Sequence, residues 1–251
     1  MILRGPRPWQ PVATGAVVEG AGLAAAGGVG LLMPVSALGA SVGYLVGAAV
    51  ILHHWQRRRF GAANVVTLAR VVGTCWVFGL ALQAGLGRLN DEGLLAMVVV
   101  GSSCLFLDGV DGLVARTHGE TSAFGARFDM ETDAALNLAL SVTVAVLGIA
   151  GWWVLAIGGM RYAYLAAMWL PVARVRTALR TPLPFHYSRK VVAVIQGLAL
   201  LLALTLGLAG IAAAVPALPS VLLALPLGAL CWSFGRDVLW QFRVTAAPAA
   251  D

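Results

Sequence analysis

Charge is scarce in this chain. Only 11% of its 251 residues are Asp, Glu, Lys or Arg, where an ordinary soluble domain carries about a quarter. Hydrophobic residues make up 60%, and the mean hydropathy is +0.87. This composition excludes a soluble globular domain and predicts an all-α, multi-pass integral membrane protein. Cysteine is scarce as well: Cys75, Cys104 and Cys231 lie in separate apolar segments. They have no metal-ligand spacing and are expected to be reduced, buried thiols. Acidic residues number 11 against 17 basic ones, a net charge of +6. The excess does not point to nucleic acid, because the basic residues sit in short loops between apolar runs. There they set topology and meet anionic membrane lipids. No cleavable signal peptide is expected, since the basic stretch 1–11 leads into one apolar run and then directly into another.

A spanning helix needs about 20 apolar residues. Runs at 12–33, 36–54, 64–86, 94–107, 123–149, 154–173, 191–212 and 217–235 therefore predict about eight transmembrane helices. Glu19 interrupts the first run, and Met33-Pro34 separates it from the second. Gly39, Gly43 and Gly47 recur every four residues, a small-xxx-small spacing that lets helix backbones approach closely. His53 and His54 are adjacent and point apart on a helix, so they read as part of a basic juxtamembrane stretch ending at Arg59. Gly151-Trp152-Trp153 predicts a turn with an interfacial aromatic anchor. Basic residues cluster at 4–7, 57–59, 116–127, 174–190 and 236–243, while the alternate turns hold little beyond Arg88. The positive-inside rule then places both termini and the 108–133 region on the cytoplasmic side. We divide the chain into an N-terminal helical hairpin with its basic segment (1–60), a core (61–240) and a tail (241–251) expected to be disordered.

The few acids are not spread evenly. Six of the 11 lie between Asp108 and Asp133: Asp108, Asp111, Glu120, Asp129, Glu131 and Asp133. Ionisable groups next to hydrocarbon are costly and mark a functional site. Asp108 and Asp111 are three apart and Asp129 and Asp133 four apart, so each pair shares a helix face. Facing carboxylate pairs repel unless a cation lies between them, and all-oxygen ligands suit a hard ion such as Mg²⁺ or Mn²⁺. An EF-hand is excluded because its ligands come at alternate positions.

The pattern D-x2-D-G-x2-A-R-x8-G-x3-D-x3-D, filled by Asp108, Asp111, Gly112, Ala115, Arg116, Gly125, Asp129 and Asp133, resembles the signature of the CDP-alcohol phosphotransferases. Asn64, Thr67 and Arg70 form an N-x2-T-x2-R run that resembles the entry to that family's first core helix, beside its nucleotide site. The resemblance covers about residues 60–240. It implies a six-helix core, preceded here by two further spans, and transfer of a phosphatidyl group from a CDP-linked lipid donor to an acceptor alcohol with release of CMP. It also implies two Mg²⁺ or Mn²⁺ ions per site, held by Asp108, Asp111, Asp129 and Asp133, with Asp133 as general base. Gly112, Ala115 and Gly125 fall where the cytidine approaches the backbone, and Arg116 where the pyrophosphate binds. A homodimer and a cavity open to the cytoplasmic leaflet are further implications.

For the acceptor, Arg161, Arg189 and Lys190 are candidate contacts, set against their roles in topology and lipid binding. Lys190 and Gln196 match the G-K-x-K-T-x2-Q stretch of phosphatidylglycerophosphate synthases. Arg189 stands in place of its Gly, and Val192 and Ala193 in place of its second Lys and its Thr. These departures weigh against glycerol 3-phosphate, and a polyol phosphate stands as one candidate acceptor class, the acceptor alcohol itself being left open by the sequence. Two other readings accept an acidic cluster: an intramembrane Mg²⁺-dependent prenyltransferase and a transporter with an ion site. Neither explains Ala115-Arg116 and Gly125 at their fixed places.

Overall fold

The computed structural model describes residues 9–28, 30, 33–54, 62–118, 123–181 and 187–246. Within these, it describes the side chains of all but 50–51, 53–54, 62–65, 110–118, 123–127, 173–174, 176, 180 and 187–190. All secondary structure among the described residues is helical. In chain order the helices are α1 (Trp9–Gly28), α2 (Pro34–His54), α3 (Ala62–Gly85), α4 (Asp91–His118), α5 (Ala123–Val146), α6 (Leu155–Ala167), α7 (Ala173–Arg180), α8 (Tyr187–Leu208), α9 (Ile211–Ala214) and α10 (Ala217–Ala246). A 3-10 turn at Trp152–Val154 precedes α6. Among the described residues, four segments are long and apolar enough to cross a membrane: Val66–Gly85, Asp91–Gly109, Val191–Leu208 and Ala217–Ala246. Pro34–Ala49 is a shorter apolar helix. The chain is a polytopic all-α membrane protein.

Local sequence explains the helix ends. Asn90 caps α4, its Oδ1 accepting from the Gly93 N–H at 2.9 Å, as a short polar side chain does for the orphan donors of a first turn. Helices α3, α5 and α8 each end near a glycine with a left-handed backbone, Gly87 (φ 66°), Gly148 (φ 67°) and Gly210 (φ 70°), a conformation that costs glycine nothing. Trp152, in the turn expected to anchor at the interface, is 67% exposed.

Glycines set how closely the helices approach. Gly39, Gly43 and Gly47 of α2 lie against Leu82, Cys75 and Val71 of α3, so the four-residue repeat packs the N-terminal hairpin onto the core. The approach is mutual: a Cβ on Gly79 of α3 would meet the Ser36 carbonyl oxygen at 2.8 Å. Helix α1 completes this layer, with Glu19 buried beside Trp76 and the Tyr44 hydroxyl donating to the Val12 carbonyl at 2.7 Å. Further in, Gly73 of α3 faces Cys104 of α4, Gly101 of α4 faces Leu201 of α8, and Gly158 of α6 abuts the backbone of Leu138 on α5.

Three features depart from the sequence-based expectation. The predicted span 154–173 is divided, α6 ending at Ala167 and the short helix α7 starting at Ala173. Helix α7 turns Ala178 and Leu179 inward. Helix α10 runs to Ala246, past the expected end of the last span, because Asp237 and Gln241 are buried rather than solvated. The Gln241 amide donates to the carbonyls of Thr181 at 2.8 Å and Leu179 at 3.3 Å, closing the end of α7 against α10. Cys75 and Cys104 are buried thiols as expected, whereas Cys231 is exposed on α10.

Gly158→Val is expected to destabilise the fold by about 1–3 kcal/mol or more, as overpacking does in close-packed cores. A Cβ there would lie 2.3 Å from the Leu138 Cα, and a backbone atom has nowhere to rotate. Gly159, whose Cβ would meet nothing within 4 Å, supplies the control. Thermal unfolding in detergent should fall for Gly158→Val and hold for Gly159→Ala; equal melting would contradict this packing.

Candidate active site

Three helices meet at the acidic cluster. Helix α4 brings Asp108 from its C-terminal half, α5 brings Asp129 and Asp133 one turn apart, and α3 faces both with Arg70. The Arg70 side chain is 1% exposed and Asp108 only 4%. Asp129 and Asp133 are 28% and 29% exposed, so the cluster is sealed on the α3–α4 side and open on the α5 side. The Arg70 guanidinium lies 3.3 Å from an Asp108 oxygen and hydrogen-bonds to both Asp129 and Asp133. A planar fork of five donors suits such a multi-carboxylate contact. The Cys104 thiol meets the Arg70 carbonyl at 3.8 Å, joining α4 to the same turn of α3.

One oxygen from each of Asp108, Asp129 and Asp133 lies within 4.8 Å of the other two. Three carboxylates against one guanidinium leave the described cluster net negative, and its donor set is entirely hard oxygen. It therefore fits a divalent cation of the Mg²⁺ type. Asp111 lies one turn beyond Asp108 on α4, but its side chain is outside the described residues. So are the side chains of Asn64, Arg116, Arg189 and Lys190 and the surroundings of Gly112, Ala115 and Gly125. Thr67 sits half-buried on α3 between Asn64 and Arg70.

A small cleft opens beside the cluster, lined by Leu105, Asp108, Asp133, Leu136, Asn137, Ala193 and Val194. Helix α8 forms its far wall, and Ala193 and Val194 lie one turn below Arg189 and Lys190 on the same helix. Arg161, which as an ionisable residue in an apolar run demands a polar partner, finds it in Glu131: the two side chains form an ion pair between α6 and α5. Its charge is thus balanced on the outer face of α5. The sequence offered no signal for that pairing, because Glu131 and Arg161 are thirty residues apart with no shared motif. Gln196, one of the two matches to the phosphatidylglycerophosphate synthase stretch, is 3% exposed on α8.

Arg70→Gln should leave three carboxylates facing one another without their shared cation. Breaking a buried charge cluster in this way costs about 3–5 kcal/mol. We expect a large fall in melting temperature in EDTA, largely recovered by added Mg²⁺, measured on detergent-purified protein. A variant as stable as the parent in EDTA would show that Arg70 is not what balances the aspartates.

Comparison with known proteins bears on the same residues. Among curated proteins, the chain is similar to probable phosphatidylglycerophosphate synthases from two strains of Mycobacterium tuberculosis, CDC 1551 / Oshkosh and ATCC 25618 / H37Rv. Each is 31% identical over 138 residues, which is 55% of this chain and 63% of the relative. The aligned part thus spans somewhat less than two thirds of those relatives. No solved structure matches the chain. Residues 60–228 match the model of the CDP-alcohol phosphatidyltransferase family, a stretch that takes in Arg70, all four aspartates and the cleft, and the chain belongs to that family.

Proposed function

We propose that this enzyme transfers a phosphatidyl group from CDP-diacylglycerol to a hydroxyl of a polyol phosphate, glycerol 3-phosphate being the first candidate, and releases CMP. The reading rests on the convergence of Asp108, Asp129 and Asp133 within 4.8 Å beside a cleft that Asp133 itself lines. The similarity to probable phosphatidylglycerophosphate synthases of Mycobacterium tuberculosis and the position of Arg189 and Lys190 one turn before the cleft wall on α8 support the acceptor class.

Chemically, the acceptor hydroxyl must lose a proton as its oxygen bonds to the phosphorus that carries the lipid. The bond from that phosphorus to the CMP phosphate oxygen breaks, and CMP leaves. Asp133 is the carboxylate that both faces the cleft and is open enough to take the proton, so it serves as general base. Asp108, nearly sealed, is suited to fixed coordination. Two Mg²⁺ or Mn²⁺ ions held by Asp108, Asp111, Asp129 and Asp133 would neutralise the donor pyrophosphate and stabilise the leaving phosphate. Arg116 supplies a guanidinium fork of the geometry that binds phosphate oxygens, while Arg70, its fork taken up by the aspartates, shares with Asn64 and Thr67 the face of α3 that the nucleotide would lie beside. Gly112, Ala115 and Gly125 leave room for the cytidine. Arg161 is held by Glu131, which leaves Arg189 and Lys190 as the acceptor's anion contacts. The site faces the cytoplasm in a homodimer, the lipid donor entering sideways from the bilayer.

Protein in detergent with Mg²⁺ and CDP-diacylglycerol should release CMP when offered glycerol 3-phosphate, and not when offered inositol, serine or no acceptor. Asp133→Asn should lower that rate by about 10²–10⁴-fold, the usual contribution of a general base, while metal-dependent binding of CDP-diacylglycerol persists. Normal turnover by Asp133→Asn would remove the base assignment. Release only with a different acceptor would replace the polyol phosphate.

A further inference from the structure

The cleft beside Asp133 contains one polar group that the transfer chemistry above does not use. Asn137 follows Asp133 by one turn of α5 and lines the same cleft. Its side chain is buried, at 8% exposure, and makes no hydrogen bond among the described residues. The amide is left open to the cleft that Asn137 lines, and a mostly buried polar side chain without a protein partner has a reason to be there. The other lining groups, apart from the two aspartates, are Leu105, Leu136, Ala193 and Val194, none of which can hydrogen-bond through its side chain. The wall of α8 is also cut back at this point. A Cβ on Gly197 would lie 3.3 Å from Asn137 Oδ1, so glycine leaves the amide its room.

We infer that Asn137 binds the acceptor hydroxyl adjacent to the one that attacks, making the enzyme selective for vicinal diols. This rests on the polyol phosphate reading above. The spacing fits: side chains four apart on a helix have Cβ atoms about 5–6 Å apart. Two hydroxyls on neighbouring carbons, each about 2.8 Å from its partner, bridge that distance. Asp133 takes the proton of one, and the Asn137 amide pairs with the other. A polar group placed to meet a substrate hydroxyl rejects the analogue lacking it, because the amide is then left buried and unpaired. The apolar wall sharpens this choice, since it gives the second hydroxyl no other partner.

The test compares glycerol 3-phosphate with 3-hydroxypropyl phosphate, which keeps the attacking hydroxyl and the phosphate but lacks the middle hydroxyl. CMP release by the full chain gives kcat/KM for each. The parent protein should prefer glycerol 3-phosphate by about tenfold or more. Asn137→Leu should bring the two within about threefold, with the KM for CDP-diacylglycerol unchanged. Gly197→Ala, which presses on the amide without removing it, should raise the KM for glycerol 3-phosphate more than that for the analogue. It guards against a failure of Asn137→Leu to fold. Preference retained in Asn137→Leu, or equal shifts for both acceptors in Gly197→Ala, would overturn the role of Asn137 while leaving the polyol phosphate reading intact. Turnover of neither acceptor by the parent protein, with CDP-diacylglycerol still bound, would overturn that reading and this one with it.

Discussion

The fold depends on keeping like charges together beside hydrocarbon. Asp108, Asp129 and Asp133 have oxygens within 4.8 Å of one another. Without a cation this arrangement would drive α4 and α5 apart, because the repulsion between carboxylates is strong where water is thin. Arg70 supplies the counter-charge from a third helix, and its own burial at 1% exposure is tolerable only because the carboxylates are there. Each partner is the condition for the other. Helices α3, α4 and α5 are therefore tied at one point near one end, and the apolar packing along their length holds that point in register.

That packing is a matter of small residues. Gly73, Gly79, Gly101 and Gly158 sit where a Cβ would collide with a neighbouring helix. Helices in lipid gain little from apolar contact alone and associate through close backbone approach. The N-terminal hairpin fits the same logic. It lies outside the matched family region, yet α2 packs its glycine face onto α3, the helix that carries Arg70. It buttresses the outer side of the helix whose inner side balances the site.

The division between what could and could not be read from the sequence follows from the range of the interactions. The gathering of Asp108, Asp129 and Asp133 was legible because helical period and fixed spacing are local, and the scarcity of charge made them conspicuous; the side chain of Asp111 lies outside the described residues. Small-residue packing by Gly39, Gly43 and Gly47 was legible for the same reason, though not the identity of the partner helix. The Arg161–Glu131 pair was hidden, since nothing local links a residue of α6 to one of α5. The break between α6 and α7 was missed because hydropathy alone counts Ala167–Ala173 as a continuous run. The end of α10 was missed because Gln241 and Asp237 look like solvated tail residues until α7 and Tyr164 are placed against them.

The asymmetry of the cleft is the last consequence of these constraints. Its charged and polar groups, Asp108, Asp133 and Asn137, come from α4 and α5, whereas α8 contributes Ala193 and Val194. Acidic groups on both walls would require more counter-charge inside the bundle than Arg70 gives the described residues. Gathering them on the α4–α5 side lets one guanidinium of α3 reach all three aspartates and keeps the α8 wall of the cleft apolar. The positions on α8 that depart from the phosphatidylglycerophosphate synthase pattern, Val192 and Ala193, are next to or part of that apolar wall. On the reading proposed above, selection of the attacking alcohol falls to α8 and to the turn of α5 that follows Asp133, while the carboxylates stay tied to Arg70 on α3.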